Sequence, residues 1–393
     1  MCRYSSRQPL HRSRPRHEWP RQVCAGPRSV KTFSWERRRR RTAGINLDEM
    51  VDNPNFRGHN PGPLVVRLVS QRGVLDETSL ARRMPGNTLE HEGVRFTVHD
   101  EPEVDAVVVF NYSRYDTTFS ARPGYVWLWH NEPIVRRPFP KGFDRVFSHV
   151  TDSGDLRVVN APPVLDWWVD KSFDELASLP VPDKTKHLSA IASTKTDIEG
   201  HRRRNAFVDW LETAHPDVDV YGHGRAHQLA DKWSGLAPYR FSVTIENTST
   251  PHYWTEKISD CFLSYTVPVY FGATNIGDYF PADSFIWLPL ADIDEARETV
   301  SRLLISDDWK WRLPALEEAR ELVLNRYSLY SQLSSRLLAE TDVIRRRPAG
   351  AVRVHGRRTR KGGWIRGQGV LGNLAAFWRK RKARRVTRVS TRM

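Results

Sequence analysis

Polar and charged side chains crowd one predicted turn of this sequence. The cluster consists of Glu246, Asn247, Tyr253, Glu256 and Lys257. It falls where the carboxyl end of a predicted strand meets the amino end of a predicted helix. Open α/β sheets bind ligands at that edge, and a helix amino terminus favours phosphate because its first backbone N–H groups are unpaired. The sequence therefore predicts a binding site for a phosphate-bearing ligand between residues 246 and 257.

A strand and a helix must hold this cluster in place. Residues 241–245 alternate between apolar and polar types, which is the period-two pattern of a strand. Thr255 can cap a helix whose apolar residues recur at the spacing of one helical face, namely Ile258, Cys261, Phe262 and Tyr265. A short apolar run at 267–271, closed by Gly272, predicts the next strand.

The order of these residues resembles the donor-binding motif of the family 10 glycosyltransferases, the α-1,3/1,4-fucosyltransferases. The matching segments are Glu246-Asn247-Thr248, Tyr253-Trp254-Thr255-Glu256-Lys257 and Thr266-Val267-Pro268-Val269. One departure is Trp254, which stands where the family usually has Val or Ile, next to the key tyrosine of the donor pocket. The resemblance covers residues 188–330 well and 105–170 more loosely, and it covers neither terminus.

The resemblance implies roles for four residues of the cluster and for Arg204. Lys257, in the first helical turn, would hold the diphosphate of the donor together with Arg204, although Arg202 and Arg203 adjoin it and leave the register open. Glu256 would hold donor hydroxyls of the ribose. Tyr253 would line the base or fucose pocket, and Asn247 would lie near the phosphates.

Transfer of a sugar to a hydroxyl also requires a base, because the hydroxyl proton must leave as the bond forms. In the family this base is a Glu just after a strand of the amino-terminal domain, near a Pro, and Glu132-Pro133 occupies that place here. His130 stands where other members have an acidic residue, and it could also act as the base. Residues 146–155 resemble the family's segment after the base and support the register around Glu132.

Apolar runs alternate with helical or loop stretches along the chain, as buried parallel strands do. The predicted strands lie at 64–69, 94–98, 106–110 and 125–129, and, after a proline-rich linker, at 188–193, 218–222, 241–245, 267–271 and 284–288. Predicted helices lie at 202–214, 293–305 and 312–340. Together with the resemblance, this pattern predicts an α/β fold of GT-B type, with two Rossmann-like domains facing a cleft and disordered basic termini. The predicted parts are a disordered basic segment at 1–60, an acceptor-side α/β domain at 61–180, a nucleotide-sugar-binding α/β domain at 187–342 and a basic amphipathic tail at 343–393.

The composition points to anionic partners. The 393 residues carry a net charge of +15, with a pI of about 9.9. The three cysteines, Cys2, Cys24 and Cys261, show no metal spacing and fit a reducing compartment. The sequence has no apolar run of the roughly 18 residues that a membrane span needs, and its start lacks the apolar core of a signal peptide. It is similar to the bacterial members of the family, and we expect a cytoplasmic protein.

The carboxyl-terminal tail combines clusters of arginine with aromatic residues. Residues 370–385 predict a basic amphipathic helix that suits an anionic membrane surface, such as the inner face of a bacterial plasma membrane. A disordered tail without a function is the alternative, and binding of nucleic acid is the third interpretation.

The evidence for a metal site is weak. Asp217-Val218-Asp219 matches a D-x-D pattern, but it begins a predicted strand, as in this family, which does not use the pattern for metal. His223 and His227 are better explained as loop residues than as zinc ligands. We expect no required cofactor, with a divalent metal at most stimulatory.

These observations predict an inverting glycosyltransferase that moves L-fucose from GDP-fucose to a hydroxyl of a glycan. Its partners would be a GDP-sugar donor and a glycan acceptor, and not nucleic acid. One alternative is a transferase for another nucleotide sugar, because Trp254 and His130 depart from the family's usual residues. Another is a basic protein that binds nucleic acid or a membrane surface, with the α/β core as a scaffold.

Overall fold

The structure is a computed structural model that describes residues 62–70, 76–112, 117–133, 138–164 and 166–354. The segment predicted to be disordered at 1–60 lies outside the described residues, and so does the tail beyond residue 354. Within the described ranges, no helix is both long enough and apolar enough to cross a membrane.

The first part of the chain forms an amino-terminal lobe around a seven-stranded sheet. Its strands and helices are β1 (Leu64–Ser70), α1 (Glu77–Ala81), β2 (Glu90–His91), β3 (Val94–Thr97), β4 (Ala106–Phe110), β5 (Thr117–Ala121), β6 (Val126–Trp129), β7 (Arg145–Ser148), β8 (Val158–Asn160) and α2 (Phe173–Ala177). The order in the sheet is β2-β3-β1-β4-β6-β7-β8, and every neighbouring pair is parallel except β2 with β3. Every residue of β4 and β6 is buried, as the continuous apolar runs predict for central parallel strands.

The next part forms a carboxyl-terminal lobe around a five-stranded parallel sheet. It begins with β9 (Lys186–Ile191), α3 (Glu199–Ala214), β10 (Asp219–Tyr221), β11 (Tyr239–Ile245), α4 (Glu256–Leu263), β12 (Val267–Phe271), β13 (Ile286–Trp287), α5 (Ile293–Leu303) and α6 (Leu313–Asn325). The order is β10-β9-β11-β12-β13. The two lobes confirm the predicted α/β fold of GT-B type. Because the strands are parallel, the ends of β9, β11 and β12 meet at one edge of the sheet, where the polar turn lies.

The chain then returns to the amino-terminal lobe. Its last described elements are α7 (Leu329–Leu338), α8 (Thr341–Arg346) and β14 (Gly350–Val354). Apolar side chains of α7 and α8 pack into the core of the seven-stranded sheet, and β14 pairs antiparallel with β5. The prediction assigned residues up to 342 to the nucleotide-binding domain and drew one helix over 312–340. The structure instead breaks that helix at Ser328, whose hydroxyl accepts a hydrogen bond from Ser331 N and so caps α7.

The segment before β9 crosses in the other direction. Trp167, Val169 and Leu176 pack into the core of the carboxyl-terminal lobe, although they precede the predicted linker. Each lobe is therefore completed by a piece of chain from beyond the predicted boundary.

Candidate functional site

The turn after β11 is held by a buried carboxylate. Glu246 accepts hydrogen bonds at 2.8 Å from the backbone N of Thr255 and at 2.7 Å from its hydroxyl. The ammonium of Lys257 lies 2.9 Å from Oε2 of the same carboxylate. Thr255 in turn caps α4, as the sequence predicts, by accepting from the backbone N of Lys257. Glu246 thus fastens the end of a strand to the start of a helix and fixes the position of Lys257.

Gly272 allows this arrangement. A Cβ on this residue would overlap the hydroxyl of Tyr270 and the side chain of Glu246. The end of β12 can therefore pass beside Glu246 only because residue 272 has no side chain.

Next to the turn, ammonium and carboxylate groups alternate in space. Lys257 Nζ lies 3.7 Å from Glu256 Oε1, which is 3.9 Å from Lys232 Nζ. Lys232 Nζ is in turn 2.7 Å from Oδ2 of Asp260, which is fully buried. Burial alone would raise the pKa of Glu256, but Lys257 and Lys232 outweigh it, so that its pKa lies below the usual range. Glu256 is therefore an ionised carboxylate inside the lobe.

Arg204 and Asn247 meet at the same sheet edge. Arg204, on α3, donates from Nη1 to Asn247 Oδ1 at 3.0 Å and from Nη2 to the carbonyl of Ser193, also at 3.0 Å. Gly200 permits this approach, because a Cβ there would overlap the backbone carbonyl of Asn247. Burial lowers the pKa of Arg204, which stays a cation since a guanidinium does not lose its proton in proteins. A second fixed positive charge therefore lies beside the turn.

Tyr253 contacts a residue of the amino-terminal lobe. Its ring meets that of His149, which follows β7, edge-on with centroids 4.8 Å apart. Burial raises the pKa of Tyr253, and the carboxylates of Glu246, Glu256 and Glu132 raise it further. Glu132, in the amino-terminal lobe, is thus among the carboxylates that raise the pKa of Tyr253, in the turn after β11.

His130 is a buried residue of the amino-terminal lobe. Its backbone N–H donates to Phe147 O at 2.8 Å, and its ring stands edge-on to Phe139. Burial, together with His149, lowers the pKa of His130 to about 3, so its imidazole is neutral at physiological pH. Glu132 by contrast is half-buried. The two residues considered as the base thus lie in different surroundings.

Trp254 belongs to the core. It is 3 % exposed, and its ring packs against those of Tyr279, Phe280 and Tyr327. The prediction considered that it could alter the donor base pocket, because it adjoins Tyr253 in sequence. In the structure the Trp254 ring instead packs into this aromatic cluster.

Among the described residues, no group of three or more His, Cys, Asp and Glu side chains could hold a metal ion. Asp219 of the D-x-D pattern instead accepts from Lys186 Nζ at 2.9 Å and from the hydroxyl of Tyr239 at 2.7 Å. Cys261 is buried, with its sulfur 3.3 Å from the hydroxyl of Thr244.

The structure thus brings the predicted residues into two contacting pairs, which are Glu256 with Lys257 and Arg204 with Asn247. Tyr253 contacts His149, which was not predicted, and Glu132 contributes to the raised pKa of Tyr253. The sequence analysis missed Lys232, Asp260 and His149, and it placed Glu246 in the predicted cluster without giving it a role. Glu246 had a signal, since it directly follows a strand and adjoins Asn247. No sequence signal pointed to Lys232, because it lies in a separate loop.

Comparison with known proteins gives a match over the carboxyl-terminal lobe. Residues 181–308 match the family described as glycosyltransferase family 10 (fucosyltransferase) C-term. The alpha-(1,3)-fucosyltransferase FucT of Helicobacter pylori is 33% identical over 106 residues, which are 25% of this chain and 22% of that protein. The 3-galactosyl-N-acetylglucosaminide 4-alpha-L-fucosyltransferase FUT3 of Homo sapiens is 28% identical over 200 residues, covering 47% of this chain and 53% of that protein. The chain thus spans about a fifth to a half of the length of these relatives.

Two crystal structures of fucosyltransferases align with this chain at low identity. A crystal structure of an alpha1,3-fucosyltransferase with GDP-fucose is 20% identical and has a TM-score of 0.44. The alignment covers 73% of this chain and 91% of that one. A crystal structure of an alpha1,3-fucosyltransferase with GDP is also 20% identical, has a TM-score of 0.46, and covers 73% of this chain and 92% of its own.

Proposed function

We propose that this chain transfers L-fucose from GDP-fucose to a hydroxyl of a glycan. The premise is that residues 181–308 form a family 10 glycosyltransferase domain. The transfer would invert the anomeric carbon and be of the α-1,3 type. Several relatives, including FucT of Helicobacter pylori, are named as fucosyltransferases, which supports this choice of donor.

The observation that carries the proposal is the pair of cations at the sheet edge. Lys257 stands in the first turn of α4, and Arg204 contacts Asn247 beside the same turn. When the glycosidic bond breaks, negative charge develops on the diphosphate that leaves. Cations and helix N–H groups held in place stabilise that charge most effectively, since they need no reorganisation during the reaction. Lys257 and Arg204 would therefore hold the diphosphate.

The remaining residues of the turn would orient the donor. Glu256 is ionised, so it can accept hydrogen bonds from two hydroxyls of the ribose. Asn247 would lie near the phosphates through its contact with Arg204. Tyr253 would line the pocket that receives the base or the fucose.

Glu132 would be the general base. A base works best when its pKa lies near the operating pH, and a pKa of about 3 makes His130 a poor proton acceptor. The Glu132 carboxylate would take the proton of the acceptor hydroxyl while that oxygen bonds to the anomeric carbon. The bond from the anomeric carbon to the diphosphate oxygen breaks in the same step, and GDP leaves with the electron pair. The alternative in which His130 is the base is tested below.

With two protein cations at the diphosphate, the reaction would not require a metal ion, and a divalent ion would at most stimulate it. The peripheral contact of the tail with an anionic membrane, and a cytoplasmic location, stay predictions from the sequence. The comparisons lend the membrane contact no support.

Calorimetric titration of the full chain tests the proposal. The ligands are GDP, GDP-fucose, GDP-mannose, UDP-glucose and a short duplex DNA. We expect GDP and GDP-fucose to bind, and Lys257→Met to weaken GDP binding about 10-fold or more. The exposed Lys310 provides the matched control, and Lys310→Met should bind GDP as the wild type does. Binding of UDP-glucose but of neither GDP nor GDP-fucose would mean that the donor is a different nucleotide sugar. Binding of DNA but of none of the nucleotides would contradict the proposed transferase activity.

A further inference from the structure

We propose that Lys232 is a positioning residue that orients Glu256 toward the ribose of the nucleotide, and so sets a preference for ribose over deoxyribose. This inference rests on the proposed function, because it takes GDP as the ligand of the turn. It adds a residue from outside the motif that marks the family.

The position of Lys232 carries the inference. Its side chain is only 18% exposed, and its ammonium stands between the carboxylates of Glu256 and Asp260, at 3.9 and 2.7 Å. Burial lowers the pKa of Lys232, but the two carboxylates outweigh it and raise the pKa above its usual value. Lys232 is therefore a fixed cation, and one of its two carboxylate neighbours is the residue proposed to contact the ribose.

A bound diphosphate would make Glu256 depend on Lys232. Without ligand, Glu256 Oε1 has two ammonium neighbours, Lys257 at 3.7 Å and Lys232 at 3.9 Å. Lys257 is also shared with Glu246, and a diphosphate would draw it further away from Glu256. Lys232 would then be the cation that keeps this buried carboxylate charged, and only the charged form accepts hydrogen bonds with both oxygens.

One oxygen of Glu256 is available for this purpose. Oε1 faces the two ammonium groups, whereas Oε2 is buried and accepts no hydrogen bond from the described residues. A buried carboxylate oxygen without a donor is costly to the folded protein, so such an atom indicates a ligand that supplies one. A ribose hydroxyl is a donor of the required kind.

Asp260 anchors Lys232 from the other side. Asp260 Oδ1 accepts at 2.8 Å from the backbone N of Trp168, which lies in the segment that crosses between the lobes. The Lys232 ammonium also sits over the Trp168 ring, 4.9 Å from its centroid. Lys232 is thus held by an acid, an aromatic face and the crossing segment, so it can hold Glu256 in one orientation.

The test compares two nucleotides that differ only in the ribose. Calorimetry would measure the affinity of the full chain for GDP and for 2′,3′-dideoxy-GDP. Hydrogen bonds to a charged group predict that the wild type prefers GDP by about 10- to 100-fold. In Lys232→Met, we expect the ratio to fall below about threefold, chiefly through loss of GDP affinity, as it should in Glu256→Gln. Lys310→Met is the control and should keep the wild-type ratio.

A second variant covers the case in which Lys232→Met fails to fold. Burial raises the pKa of Asp260, and the loss of its cation would leave this carboxyl without compensation. The double variant Lys232→Met/Asp260→Asn removes both charges and keeps an acceptor for Trp168 N. We expect it to fold and to show the same reduced ratio. A ratio that stays at the wild-type value in either folded variant, or a wild-type ratio near one, would overturn the role of Lys232. A wild type that binds no GDP would overturn the proposed function itself.

Discussion

Arg204 donates from Nη1 to Asn247 Oδ1 at 3.0 Å, which ties the first turns of α3 to the loop that follows β11. Nη2 of the same guanidinium donates to the carbonyl of Ser193 at 3.0 Å. Two elements of the sheet edge thus fix the plane of the guanidinium. A planar group held in this way suits the paired oxygens of a phosphate.

Arg204→Lys should therefore weaken GDP binding by about 10-fold, although the charge is kept. An ammonium cannot hold Asn247, Ser193 and a phosphate in one plane. Arg202→Lys is the control, because Arg202 lies on the same helix and is exposed. Calorimetry on both variants also decides between Arg204 and Arg202, since a larger loss in Arg202→Lys would move the assignment to that residue.

Glu132→Gln should lower turnover by about 10²- to 10⁴-fold and leave GDP affinity near the wild-type value. The amide keeps the shape of the side chain but cannot accept the proton of the acceptor hydroxyl. Steady-state kinetics with GDP-fucose and an acceptor, beside calorimetry with GDP, separates the two effects. Normal turnover in this variant, together with lost turnover in His130→Gln, would make His130 the base.

His149→Phe should make the stability of the protein less sensitive to acid. Burial, together with His252, lowers the pKa of His149 to about 4 from an ordinary value of 6.5. Below pH 6.5 the unfolded chain takes up a proton that the folded protein does not, so the stabilisation present above that pH is lost as the pH falls toward 4. A Phe side chain cannot take up a proton, and it keeps an aromatic ring against Tyr253.

Urea unfolding at pH 7, 6 and 5 measures this effect. Between pH 7 and 5, we expect the wild type to lose about 2 kcal/mol more free energy of unfolding than His149→Phe does. Equal losses in the two proteins would mean that the folded protein takes up the His149 proton as readily as the unfolded chain.

Trp254→Val introduces the side-chain type usual in the family and should act on stability alone. It removes most of a buried ring from the cluster with Tyr279, Phe280 and Tyr327, which should cost about 3 kcal/mol. The GDP affinity of the folded protein should stay the same. Trp311 is half-exposed, and Trp311→Val is the control that should change stability little. A changed nucleotide preference in Trp254→Val would return this residue to the donor pocket.

The turn between β11 and α4 could be predicted from the sequence because local rules determine it. The alternation of apolar and polar residues predicts the strand. The Thr255 side chain caps the helix, and apolar residues at helical spacing predict the rest of it. Strands β1, β3, β4 and β6 likewise follow from their apolar runs. These features depend on residues that are close neighbours in the chain.

Other features depend on distant partners and could not be predicted in this way. Lys232 meets Glu256 and Asp260 only after the sheet has formed, and no periodicity links them. Residues 117–121 form a strand because β14 returns to pair with them, although they are only partly buried. The prediction of one long helix at 312–340 was wrong because Ser328 caps a new helix, a break that the apolar periodicity does not show.

The return of the chain through α7, α8 and β14 determines which parts of the chain could be exchanged with a relative. The segment that matches the family ends at residue 308, before this return. A hybrid that joins a foreign amino-terminal half to this carboxyl-terminal lobe at the linker alone would place a foreign sheet against α7. Tyr330 would then lose Phe96, whose ring lies edge-on at 5.2 Å, and β14 would lose β5. Recombination between relatives should therefore yield folded proteins only when the amino-terminal half and residues 329–354 are exchanged together.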